Sequence, residues 1–376
     1  MKFEALARPE ILAMRPYASA RGTAAADGVL LNANEAPAAL LDDPAWSTLA
    51  LNRYPAPQPD DLVRRLAALY QVAPERVLVT RGSDEGIDLL MRVFCRPGTD
   101  AVLECPPCFG MYRVAAAIQG ARVIAVPRDD GLRLDVAELE RAIAGADDDA
   151  NLKLVFLTSP NNPTGDLLPR RELLRLLAAC GDRSLLVLDE AYIEFCDAPS
   201  AAELLEDFPQ LVILRTLSKA WGAAGLRCGA LLADPAVIEL LGRVMAPYPL
   251  TAPAIAAALA VTGPGGRARQ SRMLATLREE KDRLVSELSG RDWVERLWPG
   301  EANFVLARVD DGPGLVAHCA ARGVRIRDFS STPGLANCVR ISIGAPDEMQ
   351  ALVTALADWS GQAGDSTTET LKKANP

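Results

Sequence analysis

Short, continuous apolar runs recur through the first two thirds of the chain, at 77–79, 101–103, 123–126, 152–157, 185–188 and 211–214. Between them lie longer segments with apolar residues at helical spacing, at 84–95, 135–144 and 170–179. A strand that is apolar at nearly every position, rather than at alternate ones, is covered on both faces. Strand and helix in turn therefore predict an α/β fold, with a mainly parallel central sheet covered by helices. Such a sheet collects its ligands at the carboxyl ends of its strands. The polar clusters of this chain follow the apolar runs in almost every case.

The pattern changes after Pro247, Pro249, Pro253 and the Gly263-Pro264-Gly265-Gly266 string. A charged helical segment is expected at 267–288, then strands at 303–307, 324–326 and 339–343, with a helix at 314–322. These form a smaller α+β domain. The expected division is an N-terminal segment, 1–50, packing with the small domain; a large domain, 51–262; the small domain, 263–360; and a polar, frayed tail, 361–376.

Composition narrows the function. The chain has 376 residues, 49% apolar and 24% charged, an ordinary globular balance. Forty Lys and Arg stand against 49 Asp and Glu, for a net charge of −9. That balance argues against nucleic-acid binding, which draws on clustered Lys and Arg. The apolar stretches stop short of the ~20 residues that span a bilayer. Residues 1–16 scatter their charges and hold no apolar core, so no secretory signal is expected there. The eight cysteines are too sparse for a disulfide framework and suit a cytoplasmic location. Cys105-Pro106-Pro107-Cys108 matches C-x-x-C, but no second pair or His cluster completes a metal site. The single histidine, His318, falls in a helical pattern and reads as structural. An enzyme with this composition must move its protons with something else.

Four polar clusters carry the candidate chemistry. Thr216-Leu217-Ser218-Lys219 follows one apolar run, and Arg227 comes eight residues later in Gly225-Leu226-Arg227-Cys228-Gly229. A lone Lys there would suit a solvated loop. Hydroxyls with one Lys and one Arg also suit a phosphate beside a carbonyl, and lysine forms Schiff bases with aldehydes. Asp189-Glu190-Ala191-Tyr192 follows a second run. An Asp at a strand end is often only a cap; an ionised one can hold a pyridine nitrogen protonated, and a phenol can bond a ring hydroxyl. Thr158 to Gly165 contains Asn161-Asn162-Pro163-Thr164, ordinary turn chemistry in itself. Thr80-Arg81-Gly82-Ser83-Asp84 opens a helix whose free N–H groups make an anion site. Each cluster alone has a structural explanation. Four together at strand ends point to one site.

These residues resemble the fold-type I pyridoxal-phosphate aminotransferases, through Asn162-Pro163-Thr164-Gly165, Asp189-x-Ala191-Tyr192, and Ser218-Lys219 with Arg227. Further strings, among them Asn32-Ala33-Asn34-Glu35, Arg53-Tyr54-Pro55, Gly110-Met111-Tyr112 and Arg340-Ile341-Ser342-Ile343-Gly344, are similar to the histidinol-phosphate branch of that family. The resemblance spans residues 15–345. It implies pyridoxal 5'-phosphate as cofactor, bound covalently by Lys219, which then shuttles the substrate proton. Asp189 would pair with the pyridine nitrogen, and Asn162 and Tyr192 with the ring oxygen. Ser83, Asp84, Thr216, Ser218 and Arg227 would hold the phosphate. Phe109 stands where the family commonly has a stacking Tyr. Tyr54 would reach the cofactor phosphate of a neighbouring subunit, which implies a homodimer with shared sites. Arg340 would clamp the α-carboxylate of glutamate, with Arg327, Tyr17 and Asn34 as further substrate contacts. Arg325 lies two residues from Arg327, and an unbroken strand would aim both to one face.

The implied reaction converts histidinol phosphate and 2-oxoglutarate to imidazole acetol phosphate and glutamate, and the reverse, in histidine biosynthesis. A threonine-phosphate decarboxylase or an aromatic aminotransferase would carry nearly the same cofactor motifs. A non-catalytic, cofactor-binding regulator is the alternative outside enzymes, and the intact Lys219, Asp189, Tyr192 and Arg227 speak against it.

Overall fold

The computed structural model describes residues 29–30, 56–145, 151–246 and 248–361. Tyr17, Asn34 and Tyr54 lie outside the described residues, as do most of the 1–50 segment and the tail after residue 361.

The strands in chain order are β1 (Val29–Leu30), β2 (Val77–Thr80), β3 (Asp100–Glu104), β4 (Arg122–Ala125), β5 (Asn151–Thr158), β6 (Leu185–Asp189), β7 (Leu211–Thr216) and β8 (Gly229–Leu232), followed by β9 (Val294–Trp298), β10 (Phe304–Val309), β11 (Val324–Arg325), β12 (Arg327–Asp328) and β13 (Cys338–Ser342). Seven of them form one sheet in the order β2-β8-β7-β6-β5-β3-β4. Only β8 runs against its neighbours β2 and β7; the other contacts in this sheet are parallel. The expected α/β architecture is the observed one. The strand β8 is an addition, because its glycine-rich start reads as a turn in the sequence.

Helices α1 (Asp60–Tyr70), α2 (Gly82–Phe94), α3 (Met111–Gln119), α4 (Val136–Gly145) and α5 (Arg170–Cys180) cover this sheet, with α6 (Pro235–Val244) and α7 (Ala252–Val261) after it. Side chains alternate between its two faces, as the pleat requires. On β5, Val155 and Leu157 belong to one apolar cluster, while Leu154 and Phe156 belong to the other. Both clusters are buried, which explains why the strands read as unbroken apolar runs.

The long helix α8 (Pro264–Ser289) leads to a four-stranded antiparallel sheet in the order β12-β13-β10-β9. Helix α9 (Gly312–Ala321) packs on it, and α10 (Pro346–Ala357) packs against α8, α9 and β11. The expected strand at 324–326 is broken. Its first half, β11, pairs in parallel with β1, whereas β12 joins the four-stranded sheet. The break at Ile326 separates two arginines that an unbroken strand would have aimed together. Arg325 turns back to donate to the Ala320 carbonyl at 2.6 Å, and Arg327 sits directly opposite Arg340. His318 bonds the Ala355 carbonyl at 2.9 Å and packs its ring against Trp359, in keeping with a structural role.

Candidate active site

The carboxyl ends of β2, β3, β5, β6 and β7 open onto a cavity of about 750 Å³, closed on another side by β12 and β13. Twelve of the fifteen site residues expected from the sequence line it. They are Ser83, Asp84, Phe109, Asn162, Asp189, Tyr192, Thr216, Ser218, Lys219, Arg227, Arg327 and Arg340. The other three are the residues outside the described chain. Among the described residues, no helix is long and apolar enough to cross a membrane.

Asp189 ends β6 and is almost fully buried, at 3% exposure. Burial pushes its carboxyl up to about 6, against the opposing pull of two hydrogen-bond donors. Those donors are the phenol of Tyr112, 2.8 Å from Oδ2, and the Ala191 amide, 3.0 Å from Oδ1. Tyr112 also lies 2.8 Å from the Thr158 hydroxyl and stacks on Phe156, with ring centroids 4.8 Å apart. The acid is therefore buried at the cavity wall with both oxygens hydrogen-bonded. An acid so placed suits a cationic partner such as a protonated pyridine.

A second group converges on the start of α2. Gly82 adopts φ +75°, which a side chain rarely tolerates, and a Cβ there would lie 2.8 Å from Nη2 of Arg227. Arg227 donates to the Ser218 hydroxyl at 3.3 Å and to Asp84 at 3.1 Å. Thr216 donates to the same Ser218 hydroxyl at 3.0 Å. A Cβ on Gly229 would fall 2.6 Å from the Arg215 carbonyl and 3.0 Å from the Gly82 carbonyl carbon, so bare backbone lets β8 close on β7 and α2. Hydroxyls, one guanidinium and the free amides of a helix start form a cradle for a dianionic phosphate.

Lys219 leaves β7 three residues after its last residue, with Nζ 5.8 Å from the centre of the Tyr192 ring. Asn162 donates to the Tyr192 hydroxyl at 3.5 Å and accepts from Nη1 of Arg340. Arg340, 5% exposed, lies over the rings of Phe304 and Phe329 at 5.1 and 5.4 Å. Arg327 lies over Phe329 at 5.9 Å.

Several contributing residues carried no clear signal in the sequence. Tyr112 is the main one; its Gly110-Met111-Tyr112 string carries part of the family resemblance but no role for the phenol. Behind Lys219, buried Arg215 bridges Glu190 and Glu194, and Glu194 also accepts from the Trp221 indole at 3.3 Å. This cluster ties the loop after β7 to the loop after β6. Spacing alone does not reveal such a pairing, because the bonded partners lie 21 to 27 residues apart. Phe329 and Thr332 complete the wall. The Cys105-x-x-Cys108 pair is not a poised thiol site. Burial pushes the Cys105 thiol up to about 12 and Cys108 higher still, away from the reactive thiolate. All eight cysteines are free thiols.

The fold and this constellation define a family of group-transfer enzymes. The family model for class I and II aminotransferases matches residues 27–356, and the chain belongs to that pyridoxal-phosphate-dependent family. It is 41% identical over 363 residues to a histidinol-phosphate aminotransferase of Cronobacter sakazakii, covering 96% of this chain and 99% of the relative. It is 42% identical over 356 residues to a histidinol-phosphate aminotransferase of Yersinia pestis, covering 95% and 91%. A solved histidinol-phosphate aminotransferase of Sinorhizobium meliloti, in complex with pyridoxal 5'-phosphate, superposes with a TM-score of 0.80 at 26% identity, covering 93% of this chain and 96% of that one.

The residues present fit the cofactor. A buried acid for the pyridine nitrogen, a phosphate cradle at a helix start and a lysine between them match its two ends and its aldehyde. The face of Phe109, which also lines the cavity, suits stacking on a flat ring.

Proposed function

We propose that the protein transfers an amino group between histidinol phosphate and 2-oxoglutarate, yielding imidazole acetol phosphate and glutamate, and the reverse, in histidine biosynthesis. The observation that carries this reading is the cross-strand pair of Arg327 and Arg340 at one cavity wall, separate from the Arg227 cradle. Two guanidiniums beyond the cofactor's own suit glutamate, with two carboxylates, and an amino alcohol bearing a phosphate. The names of the relatives point to the same pair of substrates.

In this reading Arg227, Ser218, Thr216 and the amides of Ser83 and Asp84 would hold the cofactor phosphate, and Asp189 would pair with its pyridine nitrogen. Phe109 would stack on the ring, and Asn162 and Tyr192 would hydrogen-bond the ring oxygen. When bound, pyridoxal 5'-phosphate supplies an electron sink for the charge left at the substrate Cα. Lys219 holds the cofactor at rest. Its Nζ, when not holding the cofactor, would take the proton from the substrate Cα, the general-base work that a histidine does elsewhere. Tyr112 and the Ala191 amide keep Asp189 aligned and ionised. Arg340 gives up its bond to Asn162 in favour of a substrate carboxylate, so that substrate arrival and the Asn162 contact are linked. Arg327 takes the second anion. Asn34 and Tyr17 extend this substrate side.

The functional unit is proposed to be a cytoplasmic homodimer in which Tyr54 reaches the neighbouring subunit's cofactor phosphate. The free thiols suit a reducing compartment. The cofactor arrangement is tested by the visible absorption of the purified protein. Wild type should be yellow and lose the band on reduction with borohydride, whereas Lys219→Ala should neither be fixed by borohydride nor turn over. A colourless wild type that gains no band with added cofactor would refute it.

A further inference from the structure

The segment after β4 does not stay with the large sheet. Asp129, Asp130, Gly131, Leu132 and Arg133 make a tight turn, with the Leu132 amide donating to the Asp129 carbonyl at 2.8 Å and the Asp129 amide to the Arg133 carbonyl at 2.9 Å. Leu132 takes φ +65°, a left-handed backbone that a branched side chain rarely adopts. Its side chain, 4% exposed, packs into a small separate cluster with Leu306 and Cys338 of the other sheet and Leu335 of the loop before β13, beside Phe329 and Trp298. Two bonds hold the turn in place from opposite sides. Buried Arg128 donates to the Leu132 carbonyl at 2.9 Å while pairing with Asp166 at 2.8 Å, and the Trp298 indole donates to the Gly131 carbonyl at 3.3 Å. Asp166 in turn accepts from Thr164, in the loop that carries Asn162.

Phe329 is the link between this cluster and the cavity. It packs against the Leu132 cluster, and Arg327 and Arg340 lie against its ring. We propose that Leu132 is a positioning residue: a wedge from the edge of the large sheet that holds Phe329, and through it the Arg327 and Arg340 guanidiniums, at the cavity wall. The proposal rests on reading those two arginines as the substrate-anion site. An unfavourable backbone conformation is kept at a residue that touches no reacting group, and its side chain belongs to the cluster against which the ring beneath both arginines packs. A misplacement of about 1 Å at such a clamp is enough to weaken substrate engagement strongly.

The test compares the holoenzyme of wild type with Leu132→Ala, Leu132→Gly and Leu132→Met. Two readouts are needed: amide hydrogen exchange across residues 327–342, and the KM and kcat for glutamate. Leu132→Ala should speed exchange at 327–342 and leave α2 unchanged, with KM for glutamate up about tenfold and kcat within about twofold. Leu132→Gly relieves the backbone conformation, so it should fold at least as stably as the alanine variant yet share its raised KM. Leu132→Met should restore both readouts. Unchanged exchange at 327–342 with KM within about twofold of wild type would overturn the proposal, even if the melting temperature fell. If wild type does not accept glutamate, the substrate reading fails on its own, and exchange at 327–342 still decides whether Leu132 holds the wall.

Discussion

The phenol of Tyr112 donates to Oδ2 of Asp189 at 2.8 Å, and both groups are buried. Helix α3, which packs on β3 and β4, thus orients the acid that ends β6. The bond favours the ionised carboxylate, so its removal should raise the Asp189 pKa above its present value of about 6. A hydrogen bond to a charged group contributes about 1.5–3 kcal/mol, on the order of one to two pH units. Tyr112→Phe should therefore move the acid limb of the kcat profile to higher pH. An unmoved limb would show that Tyr112 only fills space.

Asp189 also gives the apoprotein a signed pH dependence. Its folded pKa lies above the ordinary carboxylate value, so the folded state binds this proton more tightly than the unfolded state. The resulting stabilisation is full below about pH 4 and is lost as pH rises through about 6. Above that, the buried carboxylate costs the apoprotein about 2–3 kcal/mol. Urea unfolding should therefore find apo Asp189→Asn gaining on wild type between pH 4.5 and 7.5. The order should reverse with cofactor bound, because an amide cannot hold the pyridine nitrogen protonated.

Arg340 and Arg327 face each other across β12 and β13, but their expected roles differ. Arg340→Ala should lower kcat/KM for glutamate on the order of a hundredfold, and Arg340→Lys should recover only part of it, since lysine lacks the planar fork. Arg327→Ala should impair histidinol phosphate more than any substrate without a phosphate. Steady-state kinetics on both half-reactions separates the two, and equal losses everywhere would remove the division of labour.

Gly82 and Gly98 both sit at positive φ, at +75° and +72°, but only Gly82 has a neighbour in the way. Gly82→Ala should displace Arg227 and weaken cofactor retention about tenfold, whereas Gly98→Ala should leave retention unchanged and carry backbone strain alone. Equilibrium dialysis of the cofactor measures the difference directly.

Much of the fold was legible because a sheet covered on both faces writes itself as unbroken apolar runs. The strands expected at 185–188 and 211–214 extend to Asp189 and Thr216, and the charged helical segment expected at 267–288 lies within the helix Pro264–Ser289. The antiparallel strand 229–232 was not, because its glycine start reads as a turn; only the close approach of Gly229 to the Arg215 carbonyl explains that glycine. The site's polar clusters were legible because each follows a strand end. Tyr112 and the Arg215 cluster were not, since their partners are distant in sequence. The break at Ile326, which sends Arg325 away from the cavity and leaves Arg327 in it, depends on two different sheets meeting at one residue and has no local signature.

The central claim is most directly tested by incubating the purified enzyme with histidinol phosphate and 2-oxoglutarate and following glutamate. The account predicts stoichiometric glutamate that disappears in Lys219→Ala. No glutamate from this pair, with carbon dioxide released from threonine phosphate instead, would contradict it.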